Sequence, residues 1–416
     1  MHTPVVTSPT RTVKLIMVTS DNNNKFYEMK ENGDSTFTVL YGRVGSTPSR
    51  QTYPLREWDK KYREKVNKGY KDQTHLFVEA GDEVELADVD DPVVHELINQ
   101  LMQYAKKSVS NNYNVTADQV TSKQVAEAQR WLDRLVGQVG AGMDVAAFND
   151  GLLELYKVIP RRMGNVKDHL LKGVPGADEL KALENNLANE QATLDVMRGQ
   201  VEINERKKEA TGAQKEKINI LQTMGLEVEP VTHPSVIDMI KGKMQDEAGK
   251  FRRAFRVRNH KTQRWYEDWL ATRNNRQEEL FWHGSRNENW ISIMETGLVL
   301  RPANAVITGK MFGYGLYFAD KFRKSLNYTS LSGSYWTRGN ADRGFLALYR
   351  VHVGNQLHIQ KHEPDWCYNL TEENLKKRGQ HLDSLFAEGG ADLRNNEYIV
   401  YNQAQCSIEY LVEVQN

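Results

Sequence analysis

The sequence predicts three modules in series: a small α+β domain over residues 1–81, an all-α helical bundle over 90–245, and a larger α+β domain over 250–416. Three observations predict this. Short aromatic and β-branched runs separated by Asn and Gly turns fill the first module. Apolar stripes at helical spacing fill the second. In the third, strand-like runs outnumber helical ones, which points to an α+β domain around two packed sheets and away from a doubly wound one.

A chain of 416 residues can bury two or three cores. Its 55 basic and 55 acidic residues cancel, so only the distribution of charge can point to nucleic acid. The two cysteines, Cys367 and Cys406, form no CxxC pair and suit a reducing intracellular setting. No apolar run approaches the roughly 18 residues of a membrane helix, so no membrane partner is expected. The first residues lack the apolar core of a signal peptide. Walker A, HExxH and complete GxGxxG patterns are missing.

In the first module, runs at 13–18, 25–29 and 35–41 read as strands, with Asn22-Asn23-Asn24 and Asn32-Gly33-Asp34 as turns. Pro54 opens a helix whose Leu55, Trp58, Tyr62 and Val66 share one face. Between Arg43 and Lys71 lie nine basic residues, Lys60 and Lys61 among them, against three acids. Such a surplus suits either a phosphate-binding surface or a solvated helix flank. From Glu79 to Glu96 the sign flips, with eight acids and no Lys or Arg, which marks a linker and boundary.

The second module opens on Asp91-Pro92, an N-cap followed by Pro at the first helical position. Thr121-Ser122-Lys123-Gln124 is a capping box, followed by Val125, Ala128, Leu132, Leu135 and Val139. Another helix carries Phe148, Leu152, Leu155 and Tyr156 and ends before Pro160. Leu180, Leu183, Leu187, Leu194, Met197 and Val201 mark a long helix with a seven-residue repeat. These stripes read as core.

In the third module strands are expected near 255–257, 279–283, 314–319, 344–353, 397–402 and 407–414, with helices near 287–297 and 320–331. His283-Gly284-Ser285 falls at a strand end, where backbone groups can meet a ligand. Tyr317 and Tyr328 stand eleven residues apart across a strand-to-helix junction, so their rings could face each other over a flat group. Glu397 heads an apolar strand, as either an exposed edge acid or a catalytic one.

Taken in order, Trp282-His283-Gly284-Ser285-Arg286, Met311-Phe312-Gly313, Gly315-Leu316-Tyr317-Phe318-Ala319-Asp320, Lys324-Ser325, Asn327-Tyr328 and Asn396-Glu397-Tyr398-Ile399-Val400-Tyr401 resemble the poly(ADP-ribose) polymerase catalytic domain. That is the diphtheria-toxin-like ADP-ribosyltransferase fold with a His-Tyr-Glu triad. Tyr41-Gly42-Arg43-Val44-Gly45 resembles the core of the WGR domain, with Tyr for the first Trp. The helical module is similar in position to the regulatory domain of the DNA-dependent members.

The resemblance implies displacement of nicotinamide from NAD, used as substrate, through a state with positive charge on the ribose and with no metal required. It makes His283, Tyr317 and Glu397 the catalytic set. His283 would bind a ribose hydroxyl, and Glu397 the 2′-hydroxyl and the acceptor. Gly284 and Ser325 would hold the carboxamide, Tyr317 and Tyr328 would sandwich the ring, Ser285 and Asn289 would assist the adenosine side, and Lys324 would support Glu397. Tyr41, Arg43, Lys60 and Lys61 would meet DNA breaks or ends. Protein acceptors, including the chain itself, are expected. The alternatives are transfer of a single unit, modification of DNA ends, or a non-catalytic DNA- or NAD-sensing module. Tyr314 and Lys310 depart from the family's usual residues, and residues 355–395 match poorly.

Overall fold

The computed structural model describes residues 11–77, 89–112, 119–140, 142–213, 219–300, 311–331 and 341–416. The expected linker through Asp88 lies mostly outside the described residues, as does Lys310. By contact the chain divides into two units, Met1–Glu83 with Lys107–Val201 and Val84–Lys106 with Glu202–Asn416.

The first unit begins with a five-stranded sheet of β1 (Thr12–Thr19), β2 (Asn23–Glu31), β3 (Thr36–Arg43), β4 (Ser49–Pro54) and β5 (Lys71–Asp72), ordered β4-β3-β2-β1-β5 and antiparallel throughout. Asn22 and Gly33 take positive φ at the two expected turns. After Pro54 one 3-10 turn leads into α1 (Trp58–Val66). Leu15, Tyr27, Met29, Phe37, Val39 and Trp58 bury themselves as one core. β4 and β5 had no sequence signal of their own.

Helices follow. Asp91 caps α2 (Pro92–Asn112) by accepting from Val93 and Val94 N–H. Thr121 and Gln124 form the expected capping box of α3 (Ser122–Gln138), and Asp144 caps α4 (Val145–Val158). The seven-residue repeat falls within α5 (Ala177–Ala213). In the first unit Gly151 lets α4 approach α3, because a Cβ there would lie 2.9 Å from Leu135. Gln129 and Gln191 exchange amide hydrogen bonds of 2.8 and 2.9 Å between α3 and α5. The division into units falls inside α2 and α5.

The second unit adds α6 (Ile220–Met224), β6 (Leu226–Pro230), α7 (Pro234–Met244), β7 (Phe251–Asn259), α8 (His260–Ala271), β8 (Glu278–Gly284), α9 (Trp290–Thr296), β9 (Leu316–Phe318) and α10 (Phe322–Leu326). It continues with β10 (Arg343–His352), β11 (Gln356–Ile359), α11 (Pro364–Cys367), α12 (Glu372–Lys376), β12 (Ser384–Ala387), β13 (Glu397–Val400) and β14 (Cys406–Gln415). One sheet runs β6-β7-β14-β10-β8 and the other β11-β12-β13-β9. They meet at Trp282, which pairs with Ala319 by backbone bonds of 2.8 and 3.0 Å. One core packs around Trp282, Phe322, Leu346, Leu348 and Val412; another packs around Phe312, Leu370, Leu385 and Ile399.

Three expectations are corrected here. The helix near 320–331 is only α10, because Tyr328 and Thr329 N–H turn back to Ser325 and Leu326 carbonyls in i→i−3 bonds. The strand near 314–319 begins at Leu316, because Gly313 takes φ +73° and Tyr314 N–H bonds to the Leu370 carbonyl. The helix near 287–297 starts with a 3-10 turn, and α9 begins at Trp290. Among the described residues no helix is long and apolar enough to cross a membrane.

Candidate active site

Four short elements bring the predicted residues together: the end of β8, the strand β9, the helix α10 and the head of β13. His283 sits one residue before the end of β8. Its Nδ1–H donates to the Tyr317 carbonyl at 3.1 Å, so Nε2 is the acceptor nitrogen of this tautomer. Burial lowers its pKa, which keeps the imidazole neutral near pH 7.

Gly284 follows. A Cβ at this position would lie 2.0 Å from the Ser325 carbonyl oxygen, so only glycine lets β8 pass α10 this closely. The buried Ser325 hydroxyl donates to the Trp282 carbonyl at 3.2 Å, which leaves its lone pairs as acceptors. Ser285 accepts from Asn289 Nδ2 at 3.0 Å, and the buried Asn289 Oδ1 has no partner.

Tyr317 projects from β9 with its hydroxyl fixed on both sides. It donates to the Gly313 carbonyl at 2.8 Å and accepts from Phe312 N–H at 3.1 Å. Burial comes first among the causes that push its pKa far up, so the ring stays neutral and serves as an apolar wall. Tyr328 leaves 42% of its surface exposed, a large aromatic face without cover.

Glu397 is the first residue of β13. Its Oε1 is bound by Lys324 Nζ, which also donates to the Asn396 carbonyl at 3.1 Å. The side chains of both are largely enclosed, at 16% and 13% exposure. Burial lowers the Lys324 pKa against the opposing pull of Glu397 and Asp320. The other carboxylate oxygen, Oε2, is buried with no hydrogen-bond partner. A lone acceptor of this kind beside a glycine-lined passage and an open aromatic face fits a polar, flat-ringed ligand that donates to it. Among the described residues no group of three or more His, Cys, Asp or Glu is placed to hold a metal ion.

The backbone of Phe312 and Gly313, which fixes the Tyr317 hydroxyl, stood in the Met311-Phe312-Gly313 block of the resemblance without a role of its own. Gly313 offered the signal, because φ +73° and a Cβ position 2.2 Å from the Leu370 carbonyl exclude other residues. Asp320 and Asn396 likewise stood in the quoted blocks without a role. They are polar residues at the ends of apolar strands.

The residues predicted for DNA lie in the first unit. Tyr41 is half-buried, its ring 6.0 Å from that of Tyr27. Arg43 directs its guanidinium at protein oxygens, with Asn22 O at 3.1 Å, Asn22 Oδ1 at 2.9 Å, Met163 O at 3.2 Å and Gly164 O at 2.7 Å. Gly45, at φ +87°, would put a Cβ 2.3 Å from the Arg162 side chain. Tyr41 through Gly45 thus docks on residues 162–164. Lys60 is exposed on α1, and Lys61 Nζ stands 4.5 Å over the Tyr53 ring.

With this geometry in view, the similarities to known proteins are specific. The poly(ADP-ribose) polymerase catalytic domain matches residues 235–416, and the WGR domain matches residues 12–76. Protein 101L of Invertebrate iridescent virus 6 is 37% identical across 46% of this chain and 78% of its own length. Protein 100L of the same virus, whose name marks it as poly(ADP-ribose) polymerase-like, is 30% identical across 43% of this chain and 93% of its own. Poly(ADP-ribose) polymerase of Drosophila melanogaster is 25% identical across 71% of this chain and 31% of its own. The chain spans most of the two viral proteins and about a third of the fly enzyme. These matches make it an NAD+ ADP-ribosyltransferase. It belongs to the poly(ADP-ribose) polymerase family and carries a WGR domain with the catalytic one.

Proposed function

We propose that this chain is a DNA-dependent poly(ADP-ribose) polymerase that responds to DNA breaks and modifies protein acceptors, itself included. In this reading residues 1–81 are the DNA reader, 90–245 a helical regulatory bundle, and 250–416 a diphtheria-toxin-like transferase domain. It acts inside the cell, in the nucleus if the source is eukaryotic. The observation that carries the reading is the buried, partnerless Glu397 Oε2 beside an ion-paired Oε1. A buried carboxylate oxygen without a protein donor is placed to accept from a bound ligand.

NAD supplies the glycosidic bond that breaks and nicotinamide as the leaving group. Gly284 and Ser325 hold the carboxamide, with Ser325 accepting from its NH2. Tyr328 stacks on the ring from its exposed face and Tyr317 closes the other side. His283 Nε2 accepts from a ribose hydroxyl, and Ser285 and Asn289 bind toward the adenosine. Glu397 Oε2 accepts from the 2′-hydroxyl, orients the ribose, and takes the acceptor's proton as positive charge grows on the sugar. Lys324 keeps Oε1 occupied and so sets which oxygen faces the substrate.

At the reader, Lys60, Lys61 and Tyr41 approach the DNA end. A phosphate that reached Arg43 would compete with the Met163 and Gly164 carbonyls, giving DNA a route to loosen that docking. Incubation with labelled NAD, with and without nicked DNA, on a denaturing gel tests the whole reading. A ladder or smear that grows with DNA is expected. A sharp protein band would mean single transfer, a labelled oligonucleotide would mean DNA modification, and no label at all would leave a sensing module.

A further inference from the structure

Glu397 is the first residue of β13, and its backbone is paired on one side only. The ladder to β12 includes Glu397 opposite Ala387, but the ladder to β9 begins one residue later, at Tyr398 opposite Phe318. The direction of a side chain at a strand end depends on what holds the residue before it. Continuing the β9 register by two residues brings Asn396 opposite Asp320. There the ladder is replaced by a side-chain bond, Asn396 Nδ2 to Asp320 Oδ2 at 2.8 Å.

Asn396 is held at two further points. Its Oδ1 accepts from Gly389 N–H at 2.9 Å, and its carbonyl accepts from Lys324 Nζ at 3.1 Å. Gly389 has no room for a side chain, since a Cβ would lie 2.8 Å from the Asn395 carbonyl carbon. Asp320 itself follows Ala319, whose backbone is locked to Trp282. The residue preceding the reactive carboxylate is therefore tied to the β9 end, to α10 and to the 389 turn.

We infer that Asn396 and Asp320 form a positioning pair that fixes the head of β13, so that Glu397 presents Oε2 to the substrate while Lys324 holds Oε1. This rests on the reading that Glu397 carries the chemistry. Neither residue touches the substrate, and both act through Glu397 and Lys324. Asp320 also faces Lys324 with its charge. Glu397 and Asp320 are the charged groups whose pull favours the ammonium against burial.

The test measures nicotinamide release from labelled NAD by the full chain with nicked DNA, together with a melting curve for each protein. Asn396→Asp sets a carboxylate against Asp320, and turnover should fall about tenfold or more with KM changed less than about threefold. Asp320→Asn keeps an acceptor oxygen but loses the charge, so the loss should be smaller and the alkaline limb of the pH profile should move to lower pH. The exchanged pair, Asp320→Asn with Asn396→Asp, restores donor and acceptor in reverse, since Asp at 396 can still accept from Gly389 N–H. It should recover at least the turnover of Asp320→Asn.

Turnover of Asn396→Asp within about twofold of wild type overturns the inference. So does an exchanged pair that melts like wild type but turns over no better than Asn396→Asp. If Asn396→Asp does not fold, Asp320→Ala takes its place, and wild-type turnover there has the same force. Glu397→Gln separates the two levels. If it keeps turnover, the assignment of Glu397 fails whatever the pair does; if it is inactive while Asn396→Asp matches wild type, only the positioning pair fails.

Discussion

Two carboxylates of the second unit, Glu413 on β14 and Glu397 on β13, are both enclosed and both met by cations, yet their oxygens are treated differently. Glu413 is fully buried. Its Oε1 faces Arg252 Nε and Arg343 Nη1 at 3.3 Å each, and its Oε2 is bound by Arg253 Nε. Glu96 on α2 adds a second acid to the same arginines, 3.0 Å from Arg253 Nη1. Glu397 has Lys324 on one oxygen and nothing on the other. Burial alone does not mark a functional acid. What separates the two is whether the protein completes the carboxylate's hydrogen bonds or leaves one open.

Glu413→Ala should produce the largest loss of stability. It strands three arginines beside a buried hollow, and breaking a buried ion cluster in this way costs about 3–5 kcal/mol. Denaturant midpoints of the variant and wild type measure it, and a change under about 1 kcal/mol would erase the contrast.

Glu295 on α9 is a third enclosed acid, with both oxygens left open. Its carboxylate is buried with Arg206 Nε at 3.2 Å and no hydrogen bond to either oxygen. Burial outweighs Arg206 and pushes its pKa to about 7. An acid with a raised folded pKa binds its extra proton in the folded state. Its contribution is full below an ordinary value of 4.5 and is lost as pH rises through about 7. Glu295→Gln should therefore raise stability at pH 8, by roughly 3 kcal/mol at most, and leave it nearly unchanged at pH 4.5. Melting curves at the two pH values check this; equal effects at both would refute it.

Gly284→Ala tests the passage beside Glu397. Its Cβ would drive into the Ser325 carbonyl, so β8 or α10 must shift, at a cost of about 2 kcal/mol. The KM for NAD should rise about tenfold or more, because the carboxamide contacts proposed above fall on the Gly284 backbone and the Ser325 hydroxyl, on the two sides of that clash. A smaller change is expected for Arg43→Ala. It removes the bonds to Asn22, Met163 and Gly164, costing about 1 kcal/mol, and should lower the salt slope of DNA binding by about 1. An unchanged slope would move the phosphate contacts elsewhere.

Much of this was legible in the sequence, and what was not has a physical reason. The Thr121–Gln124 box and the Asp91 cap act through neighbours a few residues away, so local pattern suffices for them. The blocks around His283 and Glu397 carried strand and turn signals that placed both at a strand end. β11 and β12 escaped notice because each is only four residues long, too short for the alternation of Gln356-Leu357-His358-Ile359 to stand out. The early end of α10 escaped because i→i−3 turns after Leu326 have no signal distinct from helix. The Asp320–Asn396 bond joins residues 76 apart, and the Glu413 cluster joins four strands and helices. No periodicity encodes which oxygen of an acid will be left without a partner. That depends on all the neighbours at once.

The measurement that bears most directly on the open oxygen is nicotinamide release by Glu397→Gln beside its melting curve. Glutamine keeps one acceptor for Lys324 and nearly the same shape, so stability should stay within about 1 kcal/mol of wild type. Turnover should fall by about a hundredfold or more, as when one positioned catalytic group is removed. Wild-type turnover in a protein that melts normally would contradict the account, for Oε2 would then be an ordinary buried acceptor and Glu397 would differ from Glu413 in nothing that matters to function.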